Sequence, residues 1–553
     1  MSGTIPMPTH ADLLLHHGLI RTMDPANPTA EAMAIGGGRI LALGNAAALE
    51  GLCGPGTRRV NLGGRMVMPG LIDFHMHLLT SMTTRLYSTP LDPADDFAAV
   101  LAKVGAAAKV PGRREWVTAG PYGPAALEAM ERPGALAALD AVSQGRPVSL
   151  THVSAHGRFA NTEALARAGI TGTTPNPQDG EIVRDASGQA TGLLHETASW
   201  PVRDAIPALS EAEMLQVARD AMGYLNSLGL TGFADASATL DMLRTFKALD
   251  DEGNLTCWAG FNLALSPTSM GYDPAEASEL RRTRKALCGP HMVADFAKIF
   301  LDGVPSLRTA AMLEPYVTAP PGEPPIAMML DVGQLADAIG DFDAEGIGVK
   351  VHAIGDRAIL TVLDAVERVR ARNGAGVQHQ LAHGQFIRPQ DIPRLRALNV
   401  LADMNPPLWF PSSASLTHER VVGKERYAQA WPIRDIVAAG ADIAVGSDWM
   451  TISAELDPWL SLCGMVTRRD GSGRFPGAHR PDQALSVEEA LPLYTRGPAR
   501  AMRIGDRTGQ LSPGLSADFI VLDRDLMSID PMAIAGTKAM ATIFAGRLVH
   551  GEL

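Results

Sequence analysis

Cysteine is scarce: Cys53, Cys257, Cys288 and Cys463 are the only four thiols in 553 residues, and no two form a C-x-x-C pair. Such a scatter excludes a zinc ribbon or a disulfide framework and fits a reducing compartment. Basic tracts are missing too. With 48 Lys and Arg against 60 Asp and Glu the net charge is −12, which argues against nucleic acid or an anionic membrane as a partner. No apolar run reaches the roughly 18 residues a membrane-spanning helix needs. The N-terminal MSGTIPMPTHADLLLHHGL has no basic segment, long apolar stretch or A-x-A site, so a cytoplasmic location is expected rather than secretion. Neither an internal repeat nor a low-complexity segment occurs.

What is present is material for a large core. Apolar residues make up 46% and charged ones 20%, which excludes extensive disorder. The length allows roughly three or four ordinary domains, or one large barrel with attachments. Plentiful glycine (55) and proline (39) predict many turns between short elements.

The first 65 or so residues read as short strands separated by glycine turns (ADLLLHHGLIRTM, AMAIGGGRILALG, TRRVNLGGRMVMP), and so does the C-terminal end (GLSADFIVLDRD, KAMATIFAGRLVHG). Neither end buries a core alone, so the two are expected to pair into one small β-sandwich. Between them, eight strand-like runs alternate with helical patterns: 70–75, 231–236, 257–265, 296–303, 348–353, 378–384, 399–405 and 441–448. That alternation predicts an α/β fold, a (β/α)8 TIM barrel. The gap after the first run exceeds a βα unit of about 30 residues several-fold, which predicts a large insertion at about 85–205. The expected domains are thus 1–67 and 506–553 for the two parts of the sandwich and 68–505 for the barrel with its insertion.

Chemistry concentrates at the ends of these runs. In Pro69-Gly70-Leu71-Ile72-Asp73-Phe74-His75-Met76-His77 the i, i+2 spacing lets His75 and His77 face one ion from a strand end. Taken alone, an H-x-H pair is more often a pair of surface or hydrogen-bonded histidines. His352 ends GVKVHA, His383 sits in QLAHGQ and Asp448 ends IAVGSD, each at a predicted strand end. Lys298 interrupts the apolar FAKIFLDG, either at a site or in a salt bridge to Asp302 or another carboxylate. Several imidazoles and a carboxylate meeting at one barrel mouth point to Zn2+ or a related divalent ion. In the insertion, His156 and Asn161 are candidates to bind a substrate carbonyl, with internal hydrogen bonding as the alternative. Trp409, Phe410 and Trp449 follow strand ends and are candidates to line an apolar pocket, or are core. Asp356 reads as an N-terminal helix residue.

PGLIDFHMH, the Lys298 strand, VHAIGD, the AHGQ histidine and GSDW together resemble the amidohydrolase superfamily. AHGRFANTEAL (155–165), GEIVRD (180–185), TGLLHE (191–196) and AKIFLDGVPSLRTAAMLEPY (297–316) make the chain similar to its family-3 branch, the YtcJ-like metal-dependent hydrolases that include N-substituted formamide deformylases. The resemblance covers nearly the whole chain. It implies metal ligands at His75, His77, His352 and His383, and Asp448 as catalytic acid/base and ligand. It also implies that Lys298 is the fourth-strand lysine that, carboxylated, bridges two metals in binuclear relatives. Two positions depart from the family pattern: Ala382 stands where Glu often precedes the sixth-strand histidine, and Ala155 where Gly precedes His156. The implied activity is hydrolysis of a non-peptide C–N bond, in an amide or N-substituted formamide, by one or two zinc ions. Deamination, lactone or carbamate hydrolysis would use the same site, and a non-catalytic binding or regulatory protein is the reading from a different class. The expected partner is a small-molecule substrate, and a homodimer is compatible with the sequence.

Overall fold

The computed structural model describes residues 9–93, 95–110, 114–152, 157–177, 180–322, 324–449 and 455–553. Eight parallel strands form the central sheet: β1 (Leu71–Met76), β2 (Leu230–Ala238), β3 (Trp258–Leu263), β4 (Met292–Phe300), β5 (Gly348–Ala353), β6 (His379–His383), β7 (Val400–Met404) and β8 (Ile443–Val445). Each pairs with the next in chain order. β1, β2, β5 and β6 are buried at every position, as strands covered on both faces must be. The fold is a TIM barrel.

Closure between β8 and β1 relies on single bonds rather than a ladder. The Asp448 N–H donates to His75 O at 2.6 Å, the His77 N–H to Trp449 O at 3.1 Å, and the Ser447 N–H to the Asp73 carboxylate at 3.0 Å. Gly446 makes the approach possible, because a Cβ there would lie 2.2 Å from His75 N. The expected strand 441–448 is accordingly shorter in the structure: its last residues serve the seam.

Helices cover the barrel with apolar faces. Helix Val332–Ala344 is fixed at its start by reciprocal bonds of Asp331 and Gln334, a capping box. Helix Asp356–Asn373 turns Ile359, Val362, Leu363, Val366 and Val369 inward. Asp356 is its first residue, and its carboxylate accepts from Leu313 N and Arg357 N.

The two chain ends share a sheet. Strand Met66–Pro69 pairs with Leu19–Arg21 on one side and with Phe519–Leu522 on the other, followed by Ala539–Phe544 and Arg547–Gly551. A second sheet runs Arg39–Gly44, Ala32–Gly36, Ala11–His16, Cys53–Asn61. Leu15, Met33, Ile35, Val67, Phe519 and Ile543 are buried together in one core.

Leu79–Val217 is a separate compact unit. Its six-stranded sheet includes Val117–Tyr122, Val148–His152 and Ala190–Glu196. Its own core holds Val100, Val104, Leu139, Leu150 and Phe159. The unit is longer than the expected 85–205 because it takes in nearly all of helix Leu78–Tyr87 and the first part of helix Glu211–Ser227. Among the described residues, no helix is long and apolar enough to cross a membrane.

Candidate metal centre

The ends of β1, β5, β6 and β8 bring four histidines and an aspartate to the C-terminal side of the barrel. Ligand atoms of His75, His383 and Asp448 all lie within 4.8 Å of one another. Asp448 Oδ1 is 3.8 Å from His75 Nε2 and 3.6 Å from His77 Nε2. The His352 ring stands 4.4 Å from that of His383, centroid to centroid, and stacks on Phe300 at 5.0 Å. His352 Nε2 lies 3.3 Å from Gly303 O, which leaves its other nitrogen for the site.

A second layer sets these rings. His75 Nδ1 is 2.6 Å from Asp403 Oδ2, and His383 Nδ1 is 2.7 Å from Asn405 Oδ1. Each contact fixes the tautomer and aims Nε2 inward, the arrangement that metal-binding imidazoles require. Asp403 is itself held by Lys350, whose Nζ is 2.9 Å from Asp403 Oδ2 and donates to Phe74 O at 2.7 Å. Asn405 donates through Nδ2 to Gly446 O. The missing Glu at 382 therefore leaves His383 with a partner, supplied by the residue after β7.

The electrostatics favour neutral imidazoles. Burial, and then the charge of the two site lysines, pushes His77 down to about 3, and burial with the Lys298 charge pushes His352 down to about 3. His75 and His383 are driven well below their usual range by burial. Neutral imidazole is the ligating form. The Lys298 amine is pushed down to about 7 by burial first and then by Lys350. Among the described residues, His75 Nε2 and Lys298 Nζ are both buried without a hydrogen-bond partner, so the residues present fit a divalent cation. His383 and Asp448 also adopt left-handed backbone angles, φ +73° and +52°, which cost about 1–3 kcal/mol each in non-glycine residues and concentrate at functional sites.

Other expected residues fall elsewhere. Lys298 forms no bridge to Asp302, whose carboxylate instead accepts the N–H groups of Ala311, Ile354 and Gly355. Asn161 spends its amide on hydrogen bonds within the insertion, the alternative reading of the sequence. Its Oδ1 caps helix Thr162–Arg167 by accepting from Ala164 N and also accepts from Val148 N, and its Nδ2 donates to Arg146 O. His156 and Ala155 lie outside the described residues. Trp449 is buried with its ring 5.3 Å from that of Tyr224. Trp409 is fully enclosed beside Trp431 and Arg468, as is usual for an interior aromatic. Sequence reasoning passed over Lys350, Asp403, Asn405 and Asp73. Lys350 and Asp73 stand two residues before His352 and His75, so the same period of two marks them.

The amidohydrolase family model matches residues 58–550. The putative amidohydrolase YtcJ of Bacillus subtilis is 28% identical over 97% of this chain and 98% of its own. The N-substituted formamide deformylase of Arthrobacter pascens is 27% identical, covering 93% of this chain and 94% of its own. Among solved structures, an uncharacterized metal-dependent hydrolase from Pyrococcus furiosus shares the fold with a TM-score of 0.74 at 23% identity, covering 93% of this chain and all of that one. With a match that spans nearly its entire length, this chain belongs to the amidohydrolase family.

Proposed function

We propose that the protein is a metal-dependent hydrolase of a non-peptide C–N bond, in an amide or an N-substituted formamide. The observation that carries this reading is the convergence of His75, His383 and Asp448 around the buried, unpartnered Nε2 of His75, beside the unpartnered Nζ of Lys298. The deformylase relative adds support for the bond that is cut. His75, His77, His352, His383 and Asp448 would hold one or two divalent ions, with zinc the natural choice for an imidazole-rich set. Such an ion lowers the pKa of water from about 15.7 towards 7 and polarises a carbonyl.

The chain's own residues do the rest. Asp448 accepts the proton that the attacking water gives up as its oxygen bonds to the carbonyl carbon. It then returns a proton to the leaving nitrogen as the C–N bond breaks, which yields a carboxylate and an amine. Asp403 and Asn405 keep the His75 and His383 rings from turning. Lys298 would take up CO2 on its neutral amine, the new N–C bond forming as one proton leaves to solvent, and the resulting carbamate would offer the ions a further anionic ligand. Its burial, its lack of a partner and its lowered basicity all favour that step.

Formate and amine release from a formamide panel, measured on metal-replete and chelated protein, tests the reading. Chelation should abolish release, and Asp448→Asn should lower kcat by about 10²–10⁴. A protein with its full metal complement that cleaves no amide or formamide would overturn the assignment. Intact mass under bicarbonate should reveal an added CO2 that Lys298→Met lacks.

A further inference from the structure

The loops after β6, β7 and β8 hold a second set of buried polar atoms, apart from the histidines. Helix Pro458–Thr467 ends at Arg468, whose side chain is completely enclosed. Arg468 Nε donates to His479 O at 2.9 Å, and the guanidinium carbon lies 5.5 Å from the centroid of the Trp409 ring. Among the described residues, neither Nη1 nor Nη2 has a hydrogen-bond partner. The same holds for Nε1 of Trp409 and of Trp431, whose rings stand 6.5 Å apart. Gln385, two residues beyond His383, accepts the backbone N–H of Trp431 on its backbone carbonyl at 3.0 Å and adds a side-chain Oε1 with no partner among the described residues. Asp482, the carboxylate whose charge acts on Arg468, is already engaged by Arg480 at 2.9 Å and by Gln483 at 3.0 Å.

Guanidinium and indole N–H groups are donors with no acceptor capacity. Enclosing an unpaired guanidinium is strongly unfavourable unless an anion meets it. A planar oxyanion fits the two Nη groups as a bidentate pair. Loops after the seventh and eighth strands are also where TIM barrels commonly bind anionic parts of their substrates.

We propose that Arg468 is a specificity residue that binds a carboxylate on the substrate's N-substituent, so that the preferred substrates are N-acyl or N-formyl compounds with an anionic arm. The inference rests on the hydrolase reading above and deepens it. The scissile carbonyl lies at the histidine cluster.

Two measurements test it. The first compares kcat/KM for N-formyl amino acids with that for their uncharged methyl amides. Wild type should favour the carboxylates by about tenfold or more. Arg468→Met should erase that preference, chiefly through a raised KM for the carboxylates, and Arg468→Lys should keep part of it. The second follows benzoate binding to the full-length protein by calorimetry, which should weaken about tenfold or more in Arg468→Met. Arg468→Met keeps an unbranched side chain beside Trp409 and loses only the Nε bond to His479 O, and Arg468→Lys serves should it fail to fold. Benzoate affinity that is unchanged in Arg468→Met overturns the proposal whether or not any substrate is cleaved. Arg468-dependent benzoate binding without a charge preference in turnover assigns the position to a free anion, which also overturns it. Binding that depends on Arg468 while neither substrate is cleaved supports the carboxylate site and sinks the hydrolase reading instead.

Discussion

Lys298 and Lys350 face each other in register on β4 and β5, and both side chains are fully buried. Their surroundings differ at the last atom. The Lys350 ammonium bonds to Asp403 and to Phe74 O, and through Asp403 it steadies His75. The Lys298 amine has the Phe300 ring 4.6 Å away and no hydrogen-bond partner. Burial alone therefore does not mark a reactive group; an unsatisfied terminal atom beside perturbed neighbours does. One lysine completes a structural network, and the other ends among the described residues without one.

Substitutions can break or sharpen that contrast. Lys298→Met should cost the most activity, about a thousandfold or more in kcat if the residue supplies a bridging anion worth several kcal/mol. Its stability in urea should stay level or rise by about 1–3 kcal/mol, since a buried amine with no hydrogen-bond partner among the described residues is removed. Lys350→Met should do the reverse, with a stability loss of about 3–5 kcal/mol because Asp403 is left buried and uncompensated. If both variants lose equal stability, the two lysines are equivalent and the contrast fails. Asp403→Asn should be milder, weakening metal affinity about 10- to 100-fold in a chelator competition. Asn405→Ala should have the smallest effect, about tenfold by the same assay, because a neutral amide polarises His383 less than a carboxylate polarises His75.

The sequence announces the barrel and the ends of its strands more readily than it announces the layer behind them. Apolar runs broken by His352, His383 and Asp448 are visible because a polar residue at a strand end violates the pattern. Asp403 escapes notice because it closes an ordinary buried strand, VLADM, and its meaning depends on Lys350 and His75, both distant in sequence. Asn161 misleads in the opposite direction. Asn-Thr-Glu at the start of a helical run is also an N-cap signal, and the capping role is the one the fold uses. Lys298 remains ambiguous in sequence, because its separation from Asp302 suits a bridge that the backbone amides pre-empt.

Gly446 gives the barrel a hinge pin with no tolerance. The absent side chain lets the last strand touch the backbone of His75, so the joint that shuts the cylinder also sets the bite between Asp448 and the first-strand imidazoles. A single methyl group at this position would act as a wedge, and the cylinder and its reactive mouth would spring open together.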